Sequence, residues 1–76
     1  MTDKQKLQIE VGKRIKFLRE SKGISQQDIA GLCNIEKSNF SRLEAGGTNP
    51  TIYTLSKIAE HLNVPLKELV DIEISD

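Results

Sequence analysis

A chain of 76 residues is the size of one small domain, and its 11 Lys and Arg against 11 Asp and Glu give no overall attraction to a polyanion. With 37% apolar and 4% aromatic residues, any core has to be built from Ile, Leu and Val. One cysteine, Cys33, excludes an internal disulfide and lacks partners for a zinc site, and no apolar run approaches the ~20 residues of a membrane span.

The N-terminus, MTDKQKLQIEVGK, has no apolar signal-peptide centre. The expectation is a soluble cytoplasmic protein with no membrane contact, no cofactor and no metal. The zero net charge hides a gradient. Residues 1–23 carry seven Lys/Arg against Asp3, Glu10 and Glu20, whereas residues 54–76 carry Lys57 and Lys67 against five acids. That asymmetry predicts one cationic and one anionic end.

Leu7, Val11, Ile15 and Leu18 recur at helical spacing and predict a first helix from about residue 4 to 22. Gly23 stops it. Ser25 is a capping residue for a second helix, about 26 to 33, which is expected to bury Ile29, Leu32 and Cys33, with Asp28 in its first turn. Asn34 can take the left-handed conformation that ends it. A third helix, about 36 to 44, points Phe40 and Leu43 inward and ends at Gly46-Gly47. "TNP" marks a turn. Thr51 caps a fourth helix with the stripe Leu55, Ile58, Ala59 and Leu62, and Pro65 opens a short fifth, "PLKELV".

Gly12 inside the first helix costs about 1 kcal/mol against Ala, and the sequence offers no reason for it. The end of the chain changes period. Val70, Ile72 and Ile74 alternate with polar residues, as an extended segment does, and either fray or pack across a dimer. The fold class expected is all-α: a compact bundle of five short helices over residues 1–70, with an extended tail at 71–76.

Within it, "SQQDIAGLCNIEKSNFSRLEAG" has the plan of a helix-turn-helix at about 26–44. Ala30 is the small residue where two helices approach, and Ile35 plugs the turn. Lys37, Ser38, Ser41 and Arg42 stay outside on one side of the third helix. Together with "RIKFLRESKGISQQDIA", "SRLEAG" and "NPTIYTLSKIAEHLNVPLKEL", this stretch resembles the lambda-repressor-like, or Xre, family of helix-turn-helix DNA-binding proteins. The likeness runs from Ile15 to Leu69.

The resemblance implies a third helix in the major groove of double-stranded DNA. Lys37, Ser38 and Arg42 would read base edges there, Arg42 being suited to the paired acceptors of guanine. It implies phosphate contacts from Gln26, which would also brace the recognition helix. Asn39, Ser41, Thr48, Asn49, Thr51 and Tyr53 would contact phosphates too. It also implies that Glu44 pairs, largely buried, with Arg19. Glu36 departs from the Ser or Thr common among relatives; facing DNA, it would repel phosphate unless it accepts from a cytosine amino group.

The function implied is a small sequence-specific transcriptional regulator, a homodimer on an inverted repeat, of the phage-repressor or restriction–modification controller type. No small-molecule ligand is expected. A protein-interaction module, or an antitoxin with weak DNA binding, is the competing class, favoured by zero net charge and Glu36. An enzyme is disfavoured, because the sole His61 and sole Cys33 fall on different helices.

Overall fold

The computed structural model describes residues 1–73, which contain five helices and no strand. They are α1 (Asp3–Ser21), α2 (Gln26–Leu32), α3 (Lys37–Glu44), α4 (Ile52–Leu62) and α5 (Leu66–Leu69). Among the described residues no helix is long and apolar enough to cross a membrane.

Side-chain caps fix most of the starts. The Ser25 hydroxyl accepts from the Asp28 amide at 3.0 Å and the Thr51 hydroxyl from the Thr54 amide at 3.1 Å. α1 begins at Asp3, earlier than expected, because Thr2 and Gln5 form a capping box. The Gln5 amide donates to the Thr2 hydroxyl, and the Thr2 amide donates to the Gln5 carboxamide. α3 begins at Lys37, with Glu36 as its flanking residue making no side-chain cap. Pro65 likewise flanks α5.

The first four helices share one way of stopping. Gly23, Asn34, Gly46 and Asn63 have φ of 69°, 58°, 84° and 59°. In each case the next amide reaches back five residues: Ile24 to Arg19, Ile35 to Ala30, Gly47 to Arg42 and Val64 to Ala59, at 2.8–3.1 Å. This is the Schellman arrangement, which satisfies carbonyls the helix end would leave bare. In three of the four, the residue after the left-handed turn is apolar. Ile24, Ile35 and Val64 all pack against the core.

That core is centred on Ile15, Ile29, Phe40, Ile58, Leu62 and Leu69, all fully buried. Two expected members lie outside it. Leu32 is 57% exposed, because Ile29, Ala30 and Cys33 already fill the inward side of the two-turn α2. Leu7 is also exposed. It stands in an open groove with Val11, Pro50, Leu55 and Val70, so the buried stripe of α1 starts at Val11 instead.

The charge gradient of the sequence is partly cancelled in space. Arg14 Nε donates to the Glu68 carbonyl at 2.7 Å and its Nη2 to the Glu68 carboxylate at 3.0 Å, with Asp71 at 3.8 Å. The cationic first helix thus clasps two acids near the C-terminal end of the described residues, Glu68 and Asp71. The same guanidinium lies 5.5 Å from the centroid of the exposed Phe17 ring. The alternating tail does not present one apolar edge either. Val70 is exposed, whereas Ile72 turns back onto the core of its own chain. Ile74, the third member of that pattern, lies outside the described residues.

Gly12 acquires its reason here. A Cβ on it would overlap the Glu44 carbonyl oxygen and sit 2.7 Å from that of Leu43. α1 therefore touches the end of α3 backbone to backbone. Nearby, Gly46 leaves no room beside Ile9, and the Gln8 carboxamide donates to the Gly46 carbonyl at 3.0 Å. These contacts set the height of α3 on the bundle.

Candidate nucleic-acid interface

α2 and α3 are joined by the turn at residues 33–36. The left-handed Asn34 and the 2.8 Å bond from the Ile35 amide to the Ala30 carbonyl close it. Ala30, almost fully buried, provides the close approach expected of it. Phe40 and Leu43 fix one side of α3 to the core. The opposite side shows Lys37, Ser38, Asn39, Ser41 and Arg42, all exposed. Glu36 is exposed at the start of the same helix.

Glu44 faces the other way. Arg19 Nε donates to Glu44 Oε2 at 2.6 Å and Arg19 Nη2 to Glu44 Oε1 at 3.0 Å. The two residues are 7% and 6% exposed. The guanidinium's remaining nitrogen, Nη1, donates to the Ile24 carbonyl at 2.7 Å. Hydrogen bonding to Glu44 raises the Arg19 pKa above its ordinary value and outweighs burial, which acts to lower it. Among the described residues no buried side-chain nitrogen or oxygen lacks a partner. The cost of burying two charges is thus offset by a bidentate pair in which every guanidinium nitrogen has a partner.

Gln26 joins this cluster. Its Nε2 donates to Glu44 Oε1 at 2.8 Å, tying the start of α2 to the end of α3. That bond uses one of the amide's two N–H groups, and the side chain is half-buried.

The remaining predicted residues lie on the loop and at the start of α4. Asn49 is exposed and Thr48 half-buried. The Thr51 hydroxyl is occupied within α4, accepting from the Thr54 amide and donating to the Thr54 hydroxyl at 3.1 Å. Tyr53 is 72% exposed, with the Lys57 ammonium 6.0 Å from its ring centroid. It rims a groove of about 450 Å³ with Leu32, Ile35 and Lys57.

Asn39 makes a contact that sequence reasoning missed. Arg42 Nη2 donates to Asn39 Oδ1, one turn back on α3. The i,i+3 spacing of the two residues was the available signal. Cys33 is buried, and burial pushes its thiol pKa up, which makes it a poor nucleophile. Among the described residues no group of three or more His, Cys, Asp or Glu is arranged to hold a metal.

A family model described as "Helix-turn-helix" matches residues 15–69. The control protein C.MunI of a Mycoplasma species is 33% identical over 69 residues, covering 88% of this chain and 93% of that protein. The restriction–modification controller C.AhdI from Aeromonas hydrophila has a similar structure, with a TM-score of 0.78 at 31% identity over 80% of this chain and 92% of that one. SinR of Bacillus subtilis, solved in complex with DNA, gives a TM-score of 0.73 at 37% identity, covering 80% of this chain and 98% of that one. Other curated relatives are longer, and the chain spans only 45% and 42% of two transcriptional regulators it matches.

Proposed function

The chain belongs to the helix-turn-helix family of DNA-binding transcriptional regulators, and we propose that it binds an inverted-repeat operator as a homodimer, with α3 of each copy in the major groove. The observation that carries this is the division of charge on α3. Lys37 and Arg42 are exposed on one side with Ser38 and Ser41, while the acid Glu44 is turned inward and neutralised by Arg19. A helix that belongs to a chain of zero net charge thus offers a face able to meet a polyanion.

In this reading residues 1–70 form one DNA-binding domain and 71–76 a tail. Lys37, Ser38 and Arg42 read base edges. Gln26, Ser41, Thr48, Asn49 and Tyr53 hold phosphates, which position the protein without reading sequence. Thr51 serves α4 as its cap. The similarity to controller and repressor proteins supports a regulator of that kind, with no catalytic step and a cytoplasmic setting alongside the DNA. Glu36 lowers affinity for arbitrary sequence by repelling phosphate and favours a cytosine amino group where one is offered.

Titrating the protein against a pool of random duplexes at ~50 and ~200 mM salt tests this. Binding that neutralises about six phosphates falls on the order of 10³-fold between those conditions, by counterion release. The absence of binding at either salt contradicts the proposal and leaves a protein-interaction module. In the same titration Glu36→Gln is expected to raise affinity for the random pool several-fold. An unchanged value takes Glu36 out of the interface.

A further inference from the structure

We propose that Asn39 is a positioning residue for Arg42: its carboxamide oxygen holds the guanidinium in place without cancelling its charge, and so sharpens the base preference that Arg42 imposes. The inference rests on the DNA-reading role of α3 proposed above, and it replaces the phosphate contact expected of Asn39 from the resemblance.

The two arginines that meet α3 are held in opposite ways. Arg19 is buried and bonded twice to a carboxylate, so its charge is spent inside the protein. Arg42 is exposed and bonded through Nη2 to the neutral Oδ1 of Asn39. Among the described residues Arg42 takes part in no ion pair. A neutral acceptor fixes geometry and leaves the full positive charge for a ligand, whereas an acid at that position would consume it.

Geometry matters because of what an arginine reads. Guanine presents two acceptors, O6 and N7, which a guanidinium meets with two parallel N–H bonds. Of the five guanidinium N–H groups, Asn39 takes one and leaves four, enough for that fork. An arginine on a flexible stem loses rotamer freedom when it docks, and one already tethered loses less. The tether also penalises wrong bases, since a held guanidinium cannot swing to a neighbouring phosphate or base edge.

A double-mutant cycle tests this. Wild type, Asn39→Ala, Arg42→Ala and the double variant are titrated against the sequence the wild type enriches from random DNA. The panel includes single base-pair variants of that sequence and a random pool, with thermal melting as the control for folding. Arg42→Ala is expected to abolish preference at one base pair of the half-site. Asn39→Ala should lower preference at that same base pair about fivefold or more, leave the other positions alone, and add nothing in the Arg42→Ala background.

The proposal is overturned if Asn39→Ala weakens binding to every sequence by one common factor, as loss of a phosphate contact does. It is equally overturned if the effect of Asn39→Ala persists in full without Arg42. A wild type that enriches no sequence overturns the DNA-reading role itself, which is a different failure and visible before any variant is made.

Discussion

Glu44→Ala should cost the domain about 3–5 kcal/mol, because it leaves Arg19 charged and buried with only the exposed Glu20 carboxylate, 4.0 Å from Nη2 and outside hydrogen-bond distance, to oppose its charge. At roughly 0.05–0.15 kcal/mol per residue, a chain of 76 residues has about 4–11 kcal/mol of stability in total, so the loss removes from about a quarter to all of it. The substitution also strands the Gln26 amide that braces α2 against α3. Denaturant titration reads the loss directly. Replacing both partners at once, Arg19→Met with Glu44→Leu, should cost less than Glu44→Ala alone, since no uncompensated charge remains. A Glu44→Ala variant that melts like wild type contradicts the account of this pair.

Gly12→Ala is expected to destabilise as well, against the ordinary helix rule. Alanine in place of glycine inside a helix gains about 1 kcal/mol. At Gly12 the new methyl would overlap one backbone carbonyl oxygen and lie 2.7 Å from another, and backbone cannot step aside as a flexible side chain can. Overpacking of this kind typically costs about 1–3 kcal/mol and sometimes more. Relief requires α1 and the end of α3 to separate, which moves the polar face of α3 as well. Gly31 supplies the control. It lies in α2, where an added methyl would meet nothing within 4 Å, so Gly31→Ala should be neutral or stabilising by up to about 1 kcal/mol. A loss of stability at Gly12 with none at Gly31 in chemical denaturation checks the contact; equal effects contradict it.

What was legible in the sequence depended on the range of the interaction. Ser25, Thr51, Gly23 and Asn34 act on amides and carbonyls within a few residues, and their roles could be read from neighbours alone. Thr2 with Gln5, and Asn63, are signals of the same short range that went unread. Hydrophobic spacing identified the buried faces of α3 and α4, where Phe40, Leu43, Leu55, Ile58, Ala59 and Leu62 all lie inside. It misplaced Leu7 and Leu32, because periodicity gives a face and says nothing of what covers it.

Long-range contacts were harder. The Arg19–Glu44 pair came from resemblance and not from spacing. The need for Gly12 lies in a carbonyl 32 residues further along the chain, and the Arg14 clasp on Glu68 spans 54 residues. No local pattern encodes either. The same limit applied to the candidate interface. That Lys37, Ser38, Ser41 and Arg42 share an exposed side followed from helical periodicity, whereas the tether from Asn39 to Arg42 depends on side-chain rotamers that the i,i+3 spacing permits and does not determine.

Selection from a random duplex library shows whether the exposed face of α3 reads DNA sequence. The wild type should enrich an inverted repeat whose half-site centres lie about one helical turn, ~10–10.5 base pairs, apart. Arg42→Ala should enrich the same repeat with one base pair per half-site relaxed. Enrichment of no sequence, or of the identical sequence with Arg42 removed, would contradict a sequence-reading role for α3.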